Sequence, residues 1–585
     1  MSVDWSKRGA EKRIRLSNSI PEEWKLRKFY GRESNLLNIP TECGKLSPEE
    51  LSITNSTASD LVEKLSRGEL KAVDVTVAFC KRTVVAHQLV RHIRSSILLI
   101  TRVKLIYLRV RCFHEFFPEK AIAQAKELDE YFEVHKKPIG PLHGLPISIN
   151  DQFRIEGQEA SMGRTAWLGK YDTTESTLVT LLRKAGAVLY TKTSVSQTLM
   201  SGDTANNIIA ITSNPRNKAW SAGGSSGGEG ALIALRGSVL GVGTDIGTSL
   251  VLILPGCFAD NSEGGSVRVP AAFNFLYAIK PSQGRTPHSK MAHSVEGQET
   301  AHSIIGPIAH TAADLRLFLK AILSQEPWNY DPKVIPLPWR SSEEDIARSK
   351  VAGRLTLGYF HSDGVVNPHP PILRGIDEAV AKLRDNGHTL IPWRPYKHDY
   401  AQRLVRIIYT ADGNTGILNS LKASGEPVIP YNKRLLKSTK GHLNASQLGE
   451  IQLKQWEYQR RYLERWRRFE EETGTELDAI IAPVAATAAI RHGKFRYHGY
   501  SSVINLLDFT SAVVPVTFAQ KSVDLKPSNY TPLNKLDADV HAEYDPEVYD
   551  GAPVGLQVIG RRLSEERILV IAEEIGRLLG NSQTP

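Results

Sequence analysis

The sequence predicts an α/β fold: a mixed, twisted β-sheet core surrounded by helices. Three observations point there. Helix-like and strand-like segments alternate over residues 59–193, as a parallel or mixed sheet with helices on both faces requires. Late runs at 479–484, 513–518 and 555–559 are short and apolar, and read as buried strands. The chain of 585 residues is 41% hydrophobic and 23% charged, ample for a large core. No internal repeat or long linker divides it, so residues 1–50 read as a polar, proline-dotted arm and residues 51–585 as one domain.

Taken in order, 59–65 reads as a helix with Leu61, Val62 and Leu65 on its apolar side and Gly68 where a C-cap belongs. Segments 72–89 and 119–132 read as further helices. Residues 141–150 (PLHGLPISIN) form a turn into a short strand, 176–185 a helix and 187–193 a strand. Residues 239–242 form another strand-like run, and 267–282 suits a buried bend and strand. Segment 311–325 is helical, 355–360 and 389–393 are strands with a helix near 376–386 between them, and 400–475 is long, charged and mostly helical. Trp456 and Trp466 read as packing residues there. A helix at 563–579 closes the chain.

The chemistry concentrates in AGGSSGGEGALIALRGSVLGVGTDIG, residues 222–247. Glycines around Ser225 and Ser226 allow close backbone approach, and exposed N–H groups in such a turn can hold an oxyanion. A Walker loop needs a lysine that is absent here. A dinucleotide loop from Gly241 would need glycine where Ile246 stands. Gly224 to Gly228 formally fits a nucleophile elbow, yet the polar SNPRNKAWSA precedes it instead of a buried strand. The stretch resembles the amidase signature family. PLHGLPISIND, NPRNKAW, VRVPAAFNFLYAIKPS, DAIIAPVAATAA and PVGLQVIGRRL extend the resemblance, to the fungal acetamidase branch, over about residues 50–580.

The resemblance implies an amidase-signature fold and a cofactor-free, metal-free hydrolase acting on small-molecule linear amides. In that family a buried lysine and a serine on a cis peptide relay a proton from a second, nucleophilic serine. Ser225 matches the relay. Two serines compete as nucleophile: Ser266 has the family's flanking residues (GSVRVP), whereas Ser249 has the family's spacing from Ser225. Backbone groups at Ile246, Gly247, Thr248 and Gly265 match the oxyanion turn, and Leu199 with Met200 match the wall of the acyl pocket. Asp245 reads as a turn residue holding backbone N–H groups. His143 and His310 read as loop histidines that this scheme does not need.

Two departures stand out. The lysine position is Asn150, whose amide cannot take a proton but can hydrogen-bond Ser225; losing a general base typically costs about 10²–10⁴-fold in rate. The second departure is that the family's text is interrupted twice. Segment 248–264 separates GTDIG from GSVRVP and displaces the serine by 17 positions, and segment 90–111 separates AHQL from CFHEFF. Each reads as an insertion, with a retained intron translated in frame as its expected origin and a genuine loop as the competing one. An insertion ahead of a nucleophile is hard to reconcile with close positioning.

Composition sets the remaining limits. The four cysteines, Cys43, Cys80, Cys112 and Cys257, have neither metal nor disulfide spacing, as expected of reduced thiols in a cytoplasmic protein. The N-terminus lacks the apolar stretch of a signal peptide and no apolar run reaches membrane length. Segment 90–111 holds six of the basic residues behind the net charge of +10. Outside it there is no basic patch of the nucleic-acid type. The alternatives to an active amidase are a catalytically inactive amide-binding descendant and a membrane-surface protein using segment 90–111. A homodimer is compatible with either enzyme-like reading.

Overall fold

The computed structural model describes the chain except residues 1–3, 29, 31–34, 90–109, 247–263, 296, 434–435, 437–441 and 581–585. Both suspected insertions therefore lie almost wholly outside the described residues, as do Gly247, Thr248, Ser249 and Cys257.

Thirteen strands are described: β1 Phe113–Phe116, β2 Pro146–Asn150, β3 Val188–Thr193, β4 Ala205–Asn206, β5 Ala210–Ile211, β6 Leu240–Asp245, β7 Tyr277–Lys280, β8 Ile304–Ala309, β9 Thr356–Tyr359, β10 Thr389–Pro392, β11 Ala479–Pro483, β12 Thr510–Phe518 and β13 Pro553–Gly560. Eleven of them form one sheet in the order β1-β3-β2-β6-β8-β7-β12-β13-β11-β9-β10, and β4 pairs with β5 apart from it. The sheet is mixed. β3, β2 and β6 run parallel, as do β11, β9 and β10, while the strands from β6 through β11 pair antiparallel. Helices cover both faces: Gly555 of β13 lies against Ala272 of the helix Arg268–Asn274, whereas its neighbour Val554 lies against Gly375 of the helix Pro370–Asp385. Successive strand residues point to opposite faces, so the two helices sandwich the sheet.

Two expectations need correction. Segment 267–282 opens on the buried helix Arg268–Asn274 where a bend was expected, and its expected strand is β7. Pro270 sits in the first turn of that helix, where its missing N–H costs nothing. Trp466 is buried as expected, but Trp456 is 63% exposed on the helix Ala445–Thr473. The arm also packs into the fold. Its helix Trp5–Asn18 sends the buried Lys12 ammonium to Glu159, at 2.8 Å, and to Glu115, while Arg15 reaches Glu159 at 2.7 Å.

The middle of the sheet is shaped for the site by what β6 lacks. Gly241 lies opposite Ser148 of β2, and the register carried one step further sets Asn150 beside Gly243. A Cβ at Gly241 would collide with the Glu229 carboxylate and come within 2.8 Å of the Ser148 hydroxyl. A Cβ at Gly243 would come within 2.8 Å of the Ser226 hydroxyl. These two bare positions admit the start of the helix Gly227–Ala234, which carries Glu229, against the strands. Gly241→Ala should therefore destabilise the protein by about 1–3 kcal/mol, the usual range for overpacking. Chemical denaturation with an unchanged m-value is the check; an unaltered midpoint would show that Glu229 can move aside freely.

Candidate active site

Asn150 closes β2 with no solvent exposure. Its amide nitrogen donates to the Ser226 hydroxyl and to the Thr244 hydroxyl, each at 3.4 Å. Its amide oxygen accepts from the Gln152 backbone N–H at 3.2 Å, which fixes the orientation of the amide. The contact anticipated with Ser225 is thus made with Ser226 instead. The Thr244 hydroxyl donates onward to Gln152 Oε1 at 2.9 Å, so a chain of neutral polar groups runs from the serine pair across β6 and β2.

The serine pair is set by its glycines. Gly223 and Gly224 have φ of 84° and 47°, in the left-handed region. At Gly224 a side chain would strike Pro270 and come within 3.2 Å of Ser266 Cα. The Thr204 hydroxyl donates to Gly224 O at 2.7 Å and accepts from the Gly227 N–H at 2.9 Å, stapling the turn. The peptide bonds of the described residues are all trans, so the cis peptide implied at Ser225 is not present. Among the described residues, nothing hydrogen-bonds the hydroxyls of Ser225 and Ser266, and both serines are nearly fully buried.

Ser266 lies directly against this pair: the Ser226 N–H donates to its carbonyl at 3.3 Å. Its turn is held by Asp245, at the end of β6. The Asp245 carboxylate accepts from the N–H groups of Gly265 (3.0 Å) and Val267 (3.4 Å), on either side of the serine, and from Asn505 Nδ2 (2.9 Å). It also forms a fully buried ion pair with Arg268 at 3.0 Å. Burial pushes this carboxyl upward, but the Arg268 guanidinium and the hydrogen bonds outweigh it and hold it below the usual carboxylate range. Residues 264–268 thus return to the end of β6 whatever lies between. The same holds at the first interruption, where the His87 ring stacks on Phe113 with centroids 3.7 Å apart.

Leu199, Met200 and Ile246 line a small cleft of about 20 Å³ together with Thr244, Gln152 and Tyr409. No lysine among the described residues hydrogen-bonds Ser225, Ser226 or Ser266. The buried Lys192 sits on β3 beside Thr193, points to the other face and donates to Glu159 O near Asp151. Lys280, held down at about 8 by burial, donates to Pro281 O at 3.0 Å. Sequence reasoning missed the roles of Ser226, Thr244 and Asn505. Asn505 lies 260 residues from Asp245, beyond any local pattern. It also missed Glu229, which is fully buried and accepts from Ser148 (2.6 Å) and Thr193 (2.8 Å). Among the described residues no group of three or more potential ligand side chains could hold a metal ion, and no helix is long and apolar enough to cross a membrane.

A mixed sheet that brings a glycine-bracketed serine pair against a third serine defines a class of hydrolases acting on amides. The family model described as Amidase matches residues 98–258 and 261–569, and the chain belongs to that family. It is 55% identical to an acetamidase of Emericella nidulans over 586 aligned positions covering all of both chains. It is 54% identical to an acetamidase of Aspergillus oryzae, covering 99% of this chain and all of that one. In structure it is similar to a fatty acid amide hydrolase, with a TM-score of 0.86 and 30% identity over 98% of this chain and 95% of that one.

Glu229 gives the site a measurable signature. Burial raises its carboxyl to about 8, partly offset by the two hydroxyl hydrogen bonds. Its folded value lies above its ordinary 4.5, so its contribution to stability is complete below pH about 4.5 and is lost as the pH rises through 8. Glu229→Gln should remove that component. The fall in melting temperature between pH 5 and pH 9 should be smaller in the variant, and equal falls would mean Glu229 is ionised in the fold.

Proposed function

We propose that the chain hydrolyses short linear amides to the acid and ammonia or amine, slowly, with Ser266 as nucleophile and Ser225 as relay. The observation that carries this reading is the turn of Ser266 packed on the serine pair beside an apolar cleft of about 20 Å³. That volume is little more than a water needs, so it favours a methyl-sized acyl group over a long chain. The relatives named acetamidase support the same substrate size.

In this reading the Ser266 hydroxyl attacks the carbonyl carbon, and its proton passes through Ser225 to the leaving nitrogen. The backbone N–H of Ile246 is the described candidate for stabilising the oxyanion; the Gly265 N–H, expected in the same role, is given to Asp245 instead, and Gly247 and Thr248 complete the expected set. The C–N bond then breaks, and water releases the acid from the acyl-serine. A lysine at position 150 would store the proton between these events. Asn150 cannot, so proton departure and delivery must coincide, and the rate falls accordingly. Asn150→Lys in the full chain should raise kcat on acetamide by about 10²–10⁴-fold. An unchanged kcat would mean that another group already serves as base.

Ser249 remains the competing nucleophile. A fluorophosphonate adduct mapped by mass spectrometry should sit on Ser266; an adduct confined to Ser249 would reverse the assignment. The second reading, an amide-binding protein without turnover, is favoured by Asn150 alone and would give no adduct at any serine.

The two interruptions are, in this proposal, insertions whose removal leaves the flanks in place. The support is the stack of His87 on Phe113 and the hydrogen bond from Gly265 to Asp245. A protein lacking 90–111 and 248–264 should fold with at least the thermal stability of the full chain. Loss of folding on deletion would make both segments structural parts.

A further inference from the structure

A groove of about 320 Å³ lies on the far side of the nucleophile's support, between the helix Ala445–Thr473, the end of the helix Gly499–Leu507 and the start of β8. Its size is that of a small-molecule site. Its hydrogen-bond inventory is uneven. Gln455 and Gln459, one turn apart on the long helix, both give their NH2 groups to the Leu506 carbonyl, at 3.4 and 2.7 Å. Neither side-chain oxygen has a partner among the described residues. Across the groove, Arg562 gives Nε to Asp508 at 2.6 Å and Nη2 to Gln283 O at 3.1 Å, leaving Nη1 without a partner among the described residues. Leu463, Phe509 and Ile304 supply an apolar wall.

The groove is therefore bordered by two unpartnered acceptors and one unpartnered donor. We propose that it is a second binding site, specific for a small primary amide, and that it is coupled to the turn of Ser266. The NH2 of such a ligand donates to the Gln455 and Gln459 oxygens, its carbonyl accepts from Arg562, and its alkyl group lies on the apolar wall. The corresponding carboxylate sets its own oxygens against the two glutamine oxygens and is rejected, because acceptors facing acceptors leave polar groups unpaired. The site thus separates an amide from the acid formed by its hydrolysis.

The coupling is a matter of two contacts. Asn505 lines the groove, and its side chain donates to Asp245 Oδ1 at 2.9 Å and accepts from Arg268. Asp245 in turn holds the N–H groups flanking Ser266. From the same helix, Ser501 donates to Gly264 O at 2.6 Å. A ligand that steadies this helix end steadies the serine turn, and by linkage an occupied catalytic cleft strengthens the groove. The choice of a primary amide stands on the groove's own donors and acceptors; the consequence for turnover rests on the hydrolase reading.

The test uses the full chain carrying Ser266→Ala, which cannot turn over, titrated calorimetrically with propionamide and, separately, with sodium propionate. Propionamide should bind at two sites. Leu199→Trp, filling the acyl cleft, should remove one; Gln455→Leu with Gln459→Leu should remove the other. If that double variant does not fold, Arg562→Gln at an exposed position should weaken the groove site at least about 10-fold. Propionate should leave the groove empty. With the cleft blocked, propionamide should slow hydrogen exchange at Gly265 and Val267 by about 5-fold or more, the lower range of allosteric coupling. Asn505→Ala should abolish the slowing while binding persists. A single site lost with Leu199→Trp, or propionate binding the groove as well as propionamide, overturns the site. Binding without altered exchange overturns the coupling. Neither result depends on whether the unmodified chain hydrolyses amides, which is read from its turnover alone.

Discussion

The ion pair between Asp245 and Arg268 is the contact on which the site depends. Neither side chain has any solvent exposure. Around it meet the end of β6, the turn of Ser266, the helix Gly499–Leu507 through Asn505 and the Ser501 carbonyl, and β13 through Gln557. A buried pair of this kind is a doubtful source of net stability, since desolvation consumes much of the attraction. Breaking it is another matter. An uncompensated charge left in this position costs about 3–5 kcal/mol, so the four segments are held to one arrangement. Arg268 sits two residues past Ser266, and the pair therefore ties serine placement directly to the integrity of the sheet.

Against that rigid support the chemistry at residue 150 is a matter of one functional group. The amide of Asn150 donates to the hydroxyls of Ser226 and Thr244 and accepts one backbone N–H. What it lacks is basicity. In the proposed hydrolase reading the polar contacts of residue 150 run to Ser226 and Thr244, and proton storage is what an amide there does not supply. Neighbouring ionisable groups do not fill the gap by position. Lys192 belongs to an ion network with Asp151 on the opposite face, and Glu229 is occupied with Ser148 and Thr193.

Much of the fold was legible because its strands are short apolar runs bounded by turn residues, as at β11 and β13. The serine pair and Asn150 could be located from local text alone. The aim of each hydroxyl could not, because it depends on the positive φ of Gly223 and Gly224 and on a packing partner, Pro270, far along the chain. The helix Arg268–Asn274 was read as a bend because valine and proline at its start suit irregular backbone ahead of a strand equally well. Trp456 was read as packing from its chemistry; only the orientation of a long helix decides which of its faces turns inward. The interruption before Ser266 looked disruptive in one dimension. At its described C-terminal flank, the Asp245 carboxylate accepts from the N–H groups of Gly265 and Val267.

Lys12 carries a consequence of a different kind. Its ammonium is enclosed between Glu115 and Glu159, and burial alone would push Glu115 toward neutrality. The first helix is accordingly a counter-charge delivered to β1 rather than a trailing end. An acetyl group on Lys12 would remove the charge that the two carboxylates face. Once the helix has docked, no acetyltransferase can reach the amine. Any such mark would have to be written during or soon after synthesis, and it would act at the moment of assembly, on how many chains reach the folded state, rather than on the finished protein.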